Sequence, residues 1–273
     1  MEYKILIIIK DLKWYNKIFI FKNIKMKTLY ILLCSITTIL AVTWPTASKT
    51  QTLSSPITVE EGKTYDGFEV NNNQWVRYER GIKGLGDCTN IEGGSKDPCF
   101  ILKKGATLKN VILGPNSIEH VHCVGDGCTV QNVYWEDVCE DALTLKGSTN
   151  TGAKFYVKGG GAKNGSDKLI QHNSAGTVYV QDFYAENSGK LYRSCGNCKS
   201  GYQNQRKLEL KNVTTKNVKV VAGINQNYGD QAKFTSVSYS GGHACQRFTG
   251  NNSGAEPQKI DYVDKTDSSW TCK

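Results

Sequence analysis

The chain has 273 residues with 27 glycines, 14 tyrosines and five prolines, a composition that indicates one ordered domain with a sizeable core and excludes a disordered protein. The formal net charge of +9 includes seven lysines within residues 1–47. The remaining residues carry 27 basic against 23 acidic side chains, a mild excess that suits an acidic polymer, and we expect no nucleic-acid partner.

Residues 1–47 are predicted to be a targeting segment. Met26 and the lysine after it precede an apolar run over residues 29–42, and small residues follow around Ala47. This order is typical of a secretory signal peptide, and the run is short for a membrane span. We therefore expect translation to start at Met26 and a single secreted, extracellular domain over residues 48–273, free of the membrane after cleavage. An uncleaved membrane anchor is the alternative.

Nine cysteines remain in residues 48–273, as in many secreted proteins. Because nine thiols cannot all pair within one chain, we predict up to four disulfides and one unpaired cysteine, with a connectivity that remains open. The Cys195-Gly-Asn-Cys198 motif is interpreted as a structural bridge, since no second pair stands at zinc-ligand spacing. Asn164, Asn212 and Asn251 begin glycosylation sequons.

A short strand pattern recurs along the predicted mature chain. It consists of an apolar residue, a polar residue, Asn or Asp, and a second apolar residue, and successive copies start 22 to 30 residues apart. That period is typical of the coils of a parallel β-helix, so we predict an all-β, single-stranded solenoid; a β-sandwich is the alternative. The copies start at Leu108, Val130, Val180 and Leu210, with weaker ones at Val157 and Phe234.

Carboxylates are dense in residues 135–143, where four occur within six residues at the end of an apolar strand. They indicate either a solvated acidic edge or a site for a hard cation such as Ca²⁺. Because equivalent positions of successive coils stack, acidic and basic clusters after the repeats are expected to meet in one groove. The clusters are Glu119, then Glu136 to Asp141, then Asp167 and Lys168, then Lys190 and Arg193.

Motifs over residues 57–255 resemble polysaccharide lyase family 3, the class III pectate lyases. The resemblance implies a right-handed parallel β-helix and calcium-dependent cleavage of polygalacturonate. We further expect a monomer with this polysaccharide as its partner. The motifs include Leu108-Lys-Asn-Val-Ile-Leu-Gly114, Trp135-Glu-Asp-Val-Cys-Glu-Asp-Ala-Leu143, Gly189-Lys-Leu-Tyr-Arg-Ser-Cys-Gly-Asn-Cys198, Gly223-Ile-Asn225, Asn227-Tyr-Gly-Asp230 and Phe248-Thr-Gly-Asn-Asn252.

The resemblance also implies a calcium site. Its ligands are expected to be Glu119, Glu140 and Asp141, with Asp137 in support or binding a second ion. This chain departs from the family at one ligand, because Glu119 stands where the family carries Asp.

The same resemblance implies roles for the other polar residues. Lys168 is expected to accept the C5 proton of galacturonate and Arg193 to bind its carboxylate, and these two roles can be exchanged. Asp167 would orient Lys168 or join the metal site, Lys190 would contact substrate, and Glu92 would assist leaving-group protonation. Two other classes stay open: a β-helical pectin hydrolase, whose acidic cluster would activate water, and a non-catalytic secreted carbohydrate-binding protein.

Overall fold

The computed structural model describes residues 43–81 and 93–273, so most of the predicted leader and the candidate Glu92 lie outside the described residues. The described residues form a right-handed parallel β-solenoid of about 8 turns, which confirms the predicted β-helix over the β-sandwich. A short helix, α1 (Gly67–Val70), and a 3₁₀ turn (Gln226–Tyr228) accompany the strands. The strands are β1 (Lys49–Thr52), β2 (Ile57–Val59), β3 (Thr64–Asp66), β4 (Val76–Glu79), β5 (Phe100–Leu102), β6 (Thr107–Leu113), β7 (Val121–Val124), β8 (Thr129–Trp135), β9 (Asp141–Lys146), β10 (Lys154–Lys163), β11 (Lys168–His172), β12 (Gly176–Ser194), β13 (Arg206–Asn225), β14 (Gln231–Ser240), β15 (His243–Thr249), β16 (Gln258–Val263) and β17 (Ser269–Cys272).

The predicted repeat is one row of the solenoid core. Its six starting positions pair in register from β6 through β8, β10, β12 and β13 to β14, and each side chain is at most 2% exposed. Burying an apolar side chain of this size contributes about 1.5–3 kcal/mol, so the row is a main source of coil-to-coil stability. The row is Leu108, Val130, Val157, Val180, Leu210 and Phe234.

The third position of the repeat bends the chain. Asn110, Asn132, Asp182 and Asn212 all have φ between 53° and 57°, in the left-handed region that Asn and Asp tolerate better than most residues. Their side chains also stack, since Asn132 Nδ2 donates to Asn110 Oδ1 at 2.7 Å and Asn212 Nδ2 donates to Asp182 Oδ1 at 3.0 Å. The polar residue of the repeat therefore turns each coil and links it to the next.

Antiparallel strands close the C-terminal end of the solenoid. Strand β17 pairs with β14 and β16 with β15, and these pairings cover strand edges that would otherwise be open to association. The ring of Trp270 stacks on Phe234 with the centroids 4.3 Å apart, and Cys245 is bonded to Cys272. Both contacts fasten the last strands to the core.

Cysteine pairing follows the sequence-based expectation in the described part of the chain. Cys123 is bonded to Cys128, and Cys195 to Cys198 as a structural bridge. Cys139 is also disulfide-bonded. Cys99 is free and buried, and burial raises the pKa of its thiol to about 12, so it is unreactive near neutral pH.

The described N-terminal residues pack on the solenoid from Trp44 onward. The Trp44 ring lies edge-on to Tyr134, with centroids 5.5 Å apart, and Lys163 Nζ lies 3.9 Å from the centroid of the same indole. Trp44 thus packs like a residue of the folded domain, although it falls within the predicted leader. Among the described residues, no helix has the length and apolar character needed to cross a membrane.

Candidate active site

The polar clusters of three successive coils meet on one face of the solenoid. Lys168 in β11 pairs in register with Asp141 in β9 and with Lys190 in β12. Neighbouring strands of a sheet lie about 4.8 Å apart, so the three residues form one short row across the coils. Three positions further along each strand, a second row contains Gln171 and Arg193. The predicted convergence of acidic and basic residues is therefore what the coil register produces.

Two buried carboxylates mark the acidic end of these rows. Glu119, in the turn before β7, and Asp141 are each 3% exposed. Thr144 Oγ1 lies 3.4 Å from Glu119 Oε2 and 3.2 Å from Asp141 Oδ2, so it bridges the two groups. His122 Nε2 lies 3.3 Å from Glu119 Oε1. The sequence analysis did not predict a role for Thr144. Its position in the same strand as Asp141, three residues later, is the feature of the sequence that could have indicated one.

The third predicted ligand, Glu140, lies beside Gly93, as Glu119 does. The Gly93 amide donates a hydrogen bond to Glu140 Oε2. A Cβ at Gly93 would lie 2.2 Å from Glu119 Cγ and 2.9 Å from Glu140 Oε2, so a residue with a side chain does not fit. The Gly93 backbone therefore lies against two of the predicted ligands, a role that the sequence did not reveal.

The carboxylates fit a hard cation by their chemistry. Burial raises the pKa of Asp141 to about 8; the charge of Lys168 opposes this rise, while Glu119 and Glu140 add to it. Its Oδ1 is buried without a hydrogen-bond donor, and the ammonium of Lys168 lies 3.7 Å away. A divalent cation would satisfy this oxygen and relieve the repulsion.

The arrangement is not a complete metal cage. In the part of the chain that the structure describes, no three His, Cys, Asp and Glu side chains stand together as a preformed metal site. Ca²⁺ accepts six to eight oxygen ligands, so a partial set of carboxylates would leave positions for water and for a substrate carboxylate.

The other two carboxylates of the acidic segment have different neighbours. The Asp137 side chain is exposed and hydrogen-bonds with Asn164; burial raises its pKa, against the opposing effect of His120. Glu136 forms an ion pair with Arg77, with Arg77 Nη2 2.8 Å from Glu136 Oε1. Of the four carboxylates in the segment, Glu140 and Asp141 lie beside Glu119.

The basic part of the site is organised by Asp167. Its two oxygens lie 2.7 Å from Lys168 Nζ and 2.7 Å from Lys190 Nζ, so one carboxylate holds both ammonium groups. Burial opposes ionisation of Asp167, but the lysines outweigh it and lower its pKa to about 2. Burial alone would lower the pKa of Lys168, yet the charges of Asp141 and Asp167 raise it overall. Lys168 is thus held in its protonated form by its acidic neighbours.

Arg193 is the most buried cation of the site at 7% exposed. Burial lowers the pKa of its guanidinium to about 10, an effect that the charge of Asp230 opposes. Its Nη1 donates to the Ser194 carbonyl at 2.5 Å and to Asn225 Oδ1 at 3.0 Å. Its Nε and Nη2 have no hydrogen-bond partner among the described residues. The Nη1 side of the guanidinium is therefore anchored, whereas the Nε–Nη2 edge has unused donors; Nη2 packs close to Gly196, where an added Cβ would lie 2.4 Å away.

A cleft of about 460 Å³ adjoins the Arg193 row. It begins at Gln171, the register partner of Arg193, and runs past the disulfide of Cys195 to Tyr202. Its lining includes Lys146, Lys199 and the amides of Asn173 and Asn197 but no carboxylate. Neither lysine forms an ion pair with a described residue. The cleft extends the cationic face beyond the rows that the sequence predicted.

Comparison with known proteins gives consistent matches. A family model described as pectate lyase matches residues 41–255. Pectate lyase E of Emericella nidulans is 47% identical over 216 residues, which cover 79% of each chain, and probable pectate lyase E of Neosartorya fischeri is 46% identical over the same length.

Two solved structures also match. The catalytic domain of pectate lyase PelI from Erwinia chrysanthemi is 30% identical with a TM-score of 0.62, over 77% of this chain and 92% of that one. PelI in complex with tetragalacturonic acid is 31% identical with a TM-score of 0.58, over 77% of this chain and 65% of that one.

Proposed function

Since the chain belongs to the pectate lyase family, we propose that it cleaves polygalacturonate by calcium-dependent β-elimination and releases unsaturated oligogalacturonides. The observation that carries the proposal is the register of Asp141, Lys168 and Lys190 on three coils, with Arg193 three positions after Lys190 in β12. This row places an unsatisfied Asp141 oxygen 3.7 Å from Lys168 Nζ, with Lys190 on the next coil. A polymer with one carboxylate per sugar complements the lysines directly, and it would complement the Asp141 oxygen through a divalent cation between the two carboxylates.

The reaction defines what the site must provide. The C5 proton of a galacturonate leaves as a proton, its electron pair forms a C4–C5 double bond, and the bond from C4 to the glycosidic oxygen breaks without water. Negative charge develops on the substrate carboxylate as the C5 proton is removed. Groups that bind this carboxylate more strongly in the transition state than in the ground state therefore accelerate the reaction.

Lys168 is proposed as the acceptor of the C5 proton. Asp141 and Asp167 favour its protonated form, so these charges must be offset before the amine can act as a base. Calcium bound by Glu119, Glu140 and Asp141 would supply positive charge that offsets the protein carboxylates and neutralises the substrate carboxylate.

Arg193 is proposed to bind the substrate carboxylate through its Nε–Nη2 edge, because these two unused donors together match the two oxygens of a carboxylate. Lys190 would contact a neighbouring part of the substrate, and Asp167 would keep both lysines in place. Glu92 would protonate the leaving oxygen, and Asp137 would support the metal from the exposed side.

Incubation of the purified protein with polygalacturonate tests the proposal, with the ultraviolet absorbance of the unsaturated product followed at several Ca²⁺ concentrations. We expect activity that is lost with chelator, returns with Ca²⁺ and falls on highly methylated pectin, whose esters are poor metal ligands. New reducing ends without unsaturated product would instead indicate a hydrolase. Binding of the polymer without cleavage would indicate a non-catalytic carbohydrate-binding protein.

Secretion and a monomeric state belong to the same proposal. The disulfides and the predicted leader support export, since disulfides persist in oxidising compartments. Size-exclusion chromatography with light scattering on protein from culture medium tests both, and an intracellular or dimeric product would contradict them.

A further inference from the structure

Two motifs from the sequence have no role in the chemistry described so far. They are Gly223-Ile-Asn225, at the end of β13, and Asn227-Tyr-Gly-Asp230, the turn that follows. Asn225, the last residue of the first motif, accepts a hydrogen bond from Arg193 Nη1, and Asp230, the last residue of the second, accepts one from the Asn225 amide. The two motifs are therefore linked on the Nη1 side of the guanidinium.

The contacts with Arg193 are close and of three kinds. Asn225 Oδ1 accepts a hydrogen bond from Nη1 at 3.0 Å. The Phe248 ring lies face-on with its centroid 3.9 Å from Arg193 Cζ, a cation–π contact. A Cβ at Gly223 would lie 2.8 Å from Arg193 Cδ, so the missing side chain makes room for the arginine stem.

Asn225 is itself fixed in orientation. Its Nδ2 donates to Ser194 Oγ at 3.1 Å and to the Cys195 carbonyl at 2.9 Å, which leaves Oδ1 as the atom that faces Arg193. Its backbone amide donates to Asp230 Oδ2 at 3.0 Å, and the other oxygen of Asp230 accepts from the Arg206 amide at 2.8 Å. This network is buried, so its polar atoms can satisfy their hydrogen-bonding capacity only with one another and not with water.

We propose that Asn225 is a positioning residue that anchors the Nη1 side of Arg193, so that the Nε–Nη2 edge faces the substrate carboxylate. The network of Ser194 and Asp230 sets the Asn225 amide, and Phe248 fixes the plane of the guanidinium. This inference rests on the proposed function, because it takes Arg193 as the group that binds the uronate.

A double-mutant cycle tests the coupling on polygalacturonate with Asn225→Ala, Arg193→Ala and the double variant. Losing a hydrogen bond to a charged group lowers affinity about 10- to 100-fold, so we expect Asn225→Ala to raise KM by that factor with a smaller change in kcat. In the Arg193→Ala background the second substitution should add little. Fully additive effects would overturn the proposal, because a residue that only stabilises the fold acts with or without Arg193.

Asn227 provides a matched control in the same turn. Its side chain also makes two hydrogen bonds, accepting from the Gly250 amide at 2.8 Å and donating to the Gly250 carbonyl at 2.9 Å, away from Arg193. Asn227→Ala should leave KM unchanged. If it raises KM as much as Asn225→Ala does, the anchor is not specific and the proposal fails.

A second readout does not depend on activity. Nitrogen-15 NMR of arginine side chains reports rotation of the guanidinium, which should be slow for Arg193 in the wild type and measurably faster in Asn225→Ala, where Nη1 keeps its bond to the Ser194 carbonyl. Unchanged rotation would overturn the anchor even if KM rises. If Asn225→Ala does not fold, Phe248→Leu enters the same cycle with the same expected non-additivity.

The two proposals fail differently. If the wild type does not cleave polygalacturonate, or if Arg193→Ala keeps a normal KM, the proposed role of Arg193 is wrong. The NMR comparison then still decides whether Asn225 restrains the guanidinium.

Discussion

Replacing Lys168 with Ala tests the proposed base directly. The substitution removes an ammonium that lies 2.7 Å from Asp167 Oδ2 and 3.7 Å from Asp141 Oδ1. Asp167 keeps its second partner, because Lys190 Nζ lies 2.7 Å from its other oxygen. The Asp141 side chain is buried, so losing the nearby ammonium raises the pKa of this carboxyl further and favours its neutral form. We therefore expect a folded enzyme with a modest loss of stability.

The effect on turnover should be far larger than the effect on stability. A positioned base contributes about 10²- to 10⁴-fold to rate, which corresponds to about 3–5.5 kcal/mol in the activation free energy. We expect Lys168→Ala to lower kcat by that factor while KM stays close to the wild-type value. Arg193→Lys should instead raise KM as well as lower the rate, because an ammonium cannot make the two parallel hydrogen bonds of a guanidinium.

The assay is the initial rate of unsaturated product formation at saturating Ca²⁺, with a thermal melt of each variant. Lys211→Ala is the matched control, since Lys211 is an exposed lysine of β13 outside the polar rows. The reasoning is refuted if Lys168→Ala keeps kcat within about threefold of wild type while Arg193→Lys abolishes turnover at unchanged KM. That result would make Arg193 the base, consistent with its lowered pKa.

Four further predictions follow from other parts of the structure. Asn132→Ala should lower the free energy of unfolding by about 2–3 kcal/mol, because alanine tolerates positive φ poorly and cannot make the hydrogen bond to Asn110. Asn132→Gly should lower it by only about 1 kcal/mol, because glycine loses the hydrogen bond alone. Equal losses of the two variants in chemical denaturation would contradict the role of the bend. Asp66→Ala should cost about 1 kcal/mol at neutral pH, since Asp66 caps α1. Burial raises the pKa of Asp66, but hydrogen bonds and the charge of Lys109 outweigh burial and lower the pKa below 3.8. The stability that Asp66 contributes is therefore present above pH 3.8 and is lost as the pH falls through the folded-state pKa. Urea denaturation of wild type and variant at several pH values checks this direction. Lys199→Ala should raise KM up to about fivefold for long polygalacturonate and leave short oligomers unaffected, and an equal effect on both would exclude the adjoining cleft as a substrate contact. Protein isolated from culture medium should begin upstream of Trp44, because Trp44 packs on the solenoid, and N-terminal sequencing that starts at Ser48 would contradict this.

Much of the fold is determined by local sequence. The repeat that begins at Leu108 and Val130 shows the coil period, because each coil must bury an apolar residue on the coil before it. The Asn at its third position shows where each coil bends, since few other residues adopt positive φ readily. Register then follows, and with it the meeting of Asp141, Lys168 and Lys190 on one face.

The chemistry of the site depends on tertiary contacts that no local pattern contains. Asp137 and Asp141 stand four residues apart with the same side chain, yet one is exposed and the other buried with an unsatisfied oxygen. Lys168 acquires a raised pKa from acids of its own and the preceding coil, while Arg193 acquires a lowered one from burial. Charge, burial and hydrogen bonding at each of these groups are set by neighbours that are distant in sequence. Only the stacking of the coils therefore decides which carboxylates face a cation and which edge of the guanidinium keeps unused hydrogen-bond donors.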